Sequence, residues 1–157
     1  MRQTLALLLL LSFACASGSG QSGRTRNAST EDFDVAIEQA NAPMTMPAHG
    51  SADLRFVITV KNRTAAPWTI ERVALQSMGN GTFSIPVRTR EFDRVLAPGA
   101  EEQLEFWATA ELKDDPILAR APITMRATLT VKNDAGRRQE EFLQRINGRV
   151  SVAANKG

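Results

Sequence analysis

From Phe33 onward, apolar side chains recur at every second position, the period of a half-buried strand. Phe33, Val35 and Ile37 alternate with Asp34, Ala36 and Glu38. Leu54, Phe56, Ile58 and Val60 alternate with Arg55, Val57, Thr59 and Lys61. Trp68 and Ile70 open a third run whose phase then moves to Val73 and Leu75, which predicts a bulge or bend between them. Phe83, Ile85 and Val87 form a fourth run, and Leu104, Phe106 and Ala108 a fifth. Ile123, Met125, Ala127, Leu129 and Val131 form the sixth and cleanest; Phe142, Ile146, Val150 and Val152 mark the seventh, with Gly148 placed for a bulge. No stretch after residue 14 sustains a 3.6-residue period, so helices are not expected in the folded part beyond one short turn at Asp114-Asp115-Pro116.

The runs are punctuated by turn chemistry. Asn133-Asp134-Ala135-Gly136 predicts a hairpin between adjacent strands, Gly79-Asn80-Gly81 a turn, and Leu96-Ala97-Pro98-Gly99 the opening of the strand at 102–109. Strands with one apolar and one polar face bury the apolar side best as two sheets face to face. The expectation is therefore an all-β fold, a seven-stranded antiparallel sandwich over residues 33–152. Ile58-Thr59-Val60-Lys61-Asn62 followed by a polar loop and Trp68, and Leu96-Ala97-Pro98-Gly99 before Leu104-Glu105-Phe106, resemble bacterial immunoglobulin-like domains. The resemblance implies an immunoglobulin-like sandwich and no particular activity; the cysteine pair and tyrosine corner of antibody domains are absent. Ile58 to Asn62 and Leu129 to Asn133 share the pattern apolar-Thr-Val-Lys-Asn, which reads as shared turn chemistry at two strand ends rather than a duplication.

The N-terminus carries a different pattern. Arg2 precedes an unbroken apolar run from Leu5 to Phe13, then small residues, which predicts a secretory signal peptide over 1–14. The run falls short of the roughly 20 residues a membrane-spanning helix needs. Leu11-Ser12-Phe13-Ala14-Cys15 resembles a bacterial lipoprotein box, in which Cys15 becomes the lipid-modified first residue of the mature chain. The other cut, after Ala14-Cys15-Ala16, is an ordinary A-x-A site. Cys15 is the one cysteine in the chain, and an exported protein with an unpaired thiol carries a liability that lipidation removes. By the same resemblance, Ser17 and the absence of Asp after the cysteine imply the outer membrane, with the body facing the periplasm. Residues 15–32 then read as the lipidated cysteine and a flexible tether, with a reach of roughly 20–25 Å, and 153–157 as a disordered tail. Gly18-Ser19-Gly20-Gln21-Ser22-Gly23 spells a dinucleotide motif, but no strand precedes it and no helix follows, so tether is the better account.

Composition narrows the chemistry. With 43% hydrophobic and 23% charged residues, the chain is not a disordered one. The net charge is +2, and without residues 1–14 the 18 basic residues exceed the 17 acidic by one. No basic run is interleaved with aromatics, so nucleic acid is not an expected partner. His49 is the lone histidine, no serine sits in a G-x-S-x-G elbow, and Glu101-Glu102 and Asp114-Asp115 are neighbours in loops rather than facing pairs. No enzyme and no cofactor are expected. Sequons at Asn27, Asn62 and Asn80 would matter only in a eukaryotic secretory route.

Two features remain as candidate sites. Met44, Met46 and His49 place two thioethers and an imidazole within six residues, a soft set suited to Cu(I); the plainer account is a proline-punctuated crossover whose methionines cap the core. Arg88, Arg90 and Arg94 form a basic stretch that reads as a binding surface or a solvated loop. Together with the 40–52 loop and the 76–82 turn, it completes the candidate contact surfaces. The expected function is a non-enzymatic cell-envelope lipoprotein, a tethered module for binding or assembly. Its expected partners are the membrane, through the lipid, and an envelope protein. The alternative is an exported copper-binding protein.

Overall fold

A computed structural model describes residues 28–41, 44–46, 50–79, 81, 83–112, 122–148 and 150–152. Among them, eleven strands run in chain order: β1 Ala28–Ser29, β2 Phe33–Gln39, β3 Met44–Met46, β4 Ser51–Asn62, β5 Trp68–Met78, β6 Phe83–Ser84, β7 Arg88–Leu96, β8 Glu101–Leu112, β9 Ile123–Asn133, β10 Gly136–Ile146 and β11 Val150–Val152. The protein is all-β. One antiparallel sheet has the order β1-β2-β4-β8-β6, a second β10-β9-β5-β7, and β3 pairs with β11 in a small parallel ribbon.

The period-two pattern builds this directly. On β4, Leu54, Phe56, Ile58 and Val60 are buried, and on β9 so are Ile123, Met125, Ala127, Leu129 and Val131. The inner faces of both sheets contribute to one shared core. Five phenylalanines, Phe33, Phe56, Phe83, Phe106 and Phe142, are fully buried in it. Each contributes about 1.5–3 kcal/mol relative to exposure, so the core does not depend on tyrosine. The two sheets meet edge-on as well: Phe33 of β2 packs against Trp68 of β5 with ring centroids 5.8 Å apart and planes at 74°. The Arg138 guanidinium of β10 covers the Trp68 ring at 4.3 Å, and Arg138 is ion-paired with Asp32.

The expected seven strands become nine in the two sheets. One addition, β1, is two residues long and too short to show any period, while the fourth expected run contributes only the two-residue β6, with Ile85 and Val87 outside it. The other addition, β7, is a nine-residue strand exposed at nearly every position on both faces. Alternation cannot appear where neither face is covered. The last predicted run is also divided, into β10 and β11, with Asn147 and Gly148 outside both strands. β1 lies within the stretch expected as tether, pairing Ala28 with Val35 and Ser29 with Asp34. Residues 113–121, with the expected helical turn, lie outside the described residues.

The expected phase shift in β5 is a bulge at Glu71. Ile70 pairs with Val131 and Arg72 with Thr130, so Glu71 is the extra residue against β9. On the other side Phe92 and Asp93 of β7 lie opposite it, and Asp93 takes a positive φ of 52°. At the β7–β8 connection, Ala100 N donates to Ala97 O at 3.1 Å, with Pro98 and then Gly99 (φ 71°) between them. Proline followed by a left-handed glycine is the signature of a type II turn, which a side chain at the second position would strain.

Candidate binding surface

The register explains the arginines. Arg88, Arg90 and Arg94 of β7 pair with Leu75, Val73 and Ile70 of β5, all of them core residues. Directly paired residues share a face of a sheet, so the three arginines hold inward-facing positions. They are exposed nonetheless, because β7 is the edge of its sheet and overhangs the other. The basic stretch is thus an edge strand rather than a loop. Arg90 Nη1 donates to Glu105 O of β8 at 2.8 Å, and its guanidinium lies 5.2 Å from the Phe92 ring centroid. It tethers one sheet edge to the other. Arg88 and Arg94 have no hydrogen-bond or ion-pair partner among the described residues.

Below this row runs β8. Along its length it pairs with β4 on one side, from Glu101↔Lys61 to Glu111↔Ser51. On its other side β6 pairs only at Phe83↔Leu112 and Ser84↔Glu111. The Arg90 bond shows that the Glu105 carbonyl points away from β4. By strand alternation Gln103, Trp107 and Thr109 turn their N–H and C=O groups the same way. No described strand pairs with them. Trp107, on the outer face of β8, is 53% exposed. Trp107 falls between Phe106 and Ala108, in the polar phase of that run, which marks an exposed aromatic in the sequence; no such signal marks the open backbone beside it.

The opposite side of the molecule is closed. Gln144 of β10, 2% exposed, accepts from Ile37 N at 2.7 Å and donates from Nε2 to Ile37 O at 3.2 Å. A side-chain amide there satisfies the edge of β2 just past the end of β1. Asn62 closes the loop end: its buried amide donates to Ala66 O, Leu96 O and Ala97 O and accepts from Thr64 N and Oγ1. Its Nδ2 is therefore closed to a glycan in the folded chain. The other two sequons, at Asn27 and Asn80, lie outside the described residues. The shared Thr-Val-Lys-Asn endings have a common cause, since Asn133 Oδ1 accepts from Ala135 N at 2.9 Å as Asn62 Oδ1 does from Thr64 N.

Cys15 and His49 lie outside the described residues. Met44 and Met46 sit on β3, in register with Val150 and Val152. Among the described residues no three His, Cys, Asp or Glu side chains gather to hold a metal, and no helix is long and apolar enough to cross a membrane. A shallow depression of about 370 Å³ lies at one end, beside Pro67, Trp68, Val95 and the 132–135 turn. Its Lys132 is engaged with Glu71 at 2.9 Å, and it joins no nucleophile to a base.

Glu71, at the bulge, is the one carboxylate with a shifted proton affinity among the described residues. Hydrogen bonds from Arg137 and then Lys132 hold it below its ordinary 4.5, against a smaller opposing effect of burial. Arg137 reaches both carboxylate oxygens, Nε at 2.6 Å and Nη2 at 2.9 Å. A depressed carboxylate stabilises the fold above its unfolded value and loses that contribution as pH falls through the folded value. Urea titrations of the parent and Glu71→Gln are expected to differ by a constant amount from neutral pH down to about 4.5, then converge in more acid solution. A difference that does not change with pH would show the trio to be screened by solvent.

No family model matches the chain. No curated protein matches it either. Among solved structures it is similar to a protein from Archaeoglobus fulgidus, at a TM-score of 0.48 and 11% identity over 76% of this chain and 97% of that one. It is also similar to a Northeast Structural Genomics Consortium target, at 0.46 and 14% over 80% and 90%. Neither likeness carries an argument about function.

Proposed function

We propose that the protein is a non-enzymatic cell-envelope lipoprotein: an immunoglobulin-like sandwich, tethered through a lipidated Cys15, that serves as a binding or assembly module. The observation that carries this reading is the position of the sole cysteine, directly behind an apolar export segment and ahead of a Gly/Ser-rich stretch. A thiol spent on lipid leaves an exported β-domain with no reactive sulfur.

The strand order supports the immunoglobulin-like part. Immunoglobulin domains place strands A-B-E-D in one sheet and G-F-C, with C′ added in variable types, in the other. Here β2-β4-β8-β6 and β10-β9-β5-β7 fill those slots, with β4 next to β8 and β5 next to β9 as B is to E and C to F. The departure is at D. That slot holds only the two-residue β6, which comes from between β5 and β7 rather than from between β7 and β8.

A module of this kind works through its edges and end loops, and β7 and β8 offer such edges. The partners are the membrane, through the anchor, and a protein of the envelope; the body faces the periplasm from the outer membrane. The test compares the full chain with Cys15→Ser in a bacterial host. The parent is expected in the membrane fraction carrying lipid label, and the variant soluble in the periplasm without it. Equal membrane partition and equal label in the two would overturn the anchor.

A further inference from the structure

We infer that the open edge of β8 beneath β7 receives an extended acidic peptide as an added strand. The inference rests on the binding-module reading and names its surface and the chemistry of its ligand. Three observations meet there. Among the described strands none pairs with the N–H and C=O groups of Gln103, Trp107 and Thr109 on β8, while Glu105 O in the same row is held by Arg90. β6 fills the neighbouring slot for two residues only. Above that slot, β7 holds Arg88, Arg90 and Arg94 at inward-facing register positions, with Phe92 half-buried between them.

A strand added to β8 would run under that row. Every second side chain would point up toward the guanidinium groups, and the others outward beside Trp107. Charge complementarity selects the ligand. At the paired inward positions of β7 and β8 there are three arginines and, at the start of β8, the acid Glu102; Asp93, in the bulge of β7 beside Arg94, has no register partner. The acids Glu91 and Glu105 lie on outer faces and are ion-paired with Arg72 at 3.6 Å and Arg55 at 3.4 Å. Inward-pointing cations on an edge strand also discourage indiscriminate pairing with other chains. A peptide with carboxylates at alternate positions turns that repulsion into ion pairing, while a basic one meets it in full.

The probe is a dye-labelled, end-blocked peptide of alternating Glu and Thr, about eight residues long. Its comparators are the Lys/Thr peptide and a Glu/Thr peptide N-methylated at every second residue. Anisotropy with the full chain in detergent is expected to show salt-sensitive binding of the first alone. Arg88→Glu with Arg94→Glu touches no existing ion pair and is expected to weaken it by at least about tenfold. Amide exchange at Gln103, Trp107 and Thr109 should slow when the peptide is bound. Three results overturn the inference: no binding, equal binding of acidic and basic peptides, or binding without slower exchange at those amides. Each leaves the Cys15 experiment untouched. A chain that is lipidated but ignores the peptide loses only this surface, and one that binds the peptide without lipid loses only the anchor.

Discussion

Asn62→Ala is expected to lower the unfolding free energy by about 3–4 kcal/mol, a large share of the roughly 5–15 kcal/mol of an ordinary domain. Asn62 is fully buried at the end of β4, and its side chain makes five hydrogen bonds. Its backbone is committed as well, N to Ala100 O and O to Gly99 N, both at 3.0 Å. One residue thereby ties β4, the 63–67 loop, the end of β7 and the turn into β8. Truncation leaves the Leu96 carbonyl buried without its donor and frees the loop that carries Thr64, whose Oγ1 in turn accepts from Trp68 Nε1 at 3.1 Å. Ala66 and Ala97 are exposed, so water can replace the lost bonds there, which keeps the cost below the sum of its parts. The control is Asn133→Ala, which removes the same Asn-to-backbone bond at an exposed hairpin and is expected to cost under about 1 kcal/mol. Urea unfolding of the three proteins checks this. The midpoint should move strongly for Asn62→Ala and slightly for Asn133→Ala, with the m-value unchanged in both. Equal losses would reduce Asn62 to a turn residue.

The contrast between these two asparagines also shows what a sequence can carry. The shared ending and the turn it implies are local, and are legible because both the acceptor and the donor lie within three residues. The hub at Asn62 is not, because Leu96 and Ala97 reach it from 34 and 35 residues away. The same division runs through the fold. β4 and β9 are covered on one face along most of their length, so burial wrote alternation into them. The bulge at Glu71 was legible because it moved that alternation by one residue between Ile70 and Val73. β7 was not, since an overhanging edge imposes no pattern on either face. Of the candidate surface, Arg88, Arg90 and Arg94 were found as a basic stretch. Their inward register and the open strand beneath them are properties of pairing between β5, β7 and β8, which no single segment encodes.

Gln144 is the polar residue that the apolar phase of β10 passes over, between Phe142 and Ile146, and its replacement should be the second costly change. Gln144→Leu keeps the volume and removes both polar atoms. It strands the N–H and C=O of Ile37, a fully buried residue, and is expected to cost about 2–4 kcal/mol. Exchange of the Ile37 amide should accelerate more than that of its neighbours on β2, because the protection lost is local as well as global. Gln144→Glu separates hydrogen bonding from packing. Its carboxylate can still accept from Ile37 N but cannot donate to Ile37 O, and burial against a carbonyl raises its pKa in the folded state. A raised carboxylate binds a proton on folding, so the variant should gain stability as pH falls from 7 toward about 4.5, where the acid form restores the donor. Gln144→Leu should show no such recovery relative to the parent. If the two variants follow the same pH course, the amide is a filler of space, and the closed side of the sandwich is held by the core alone.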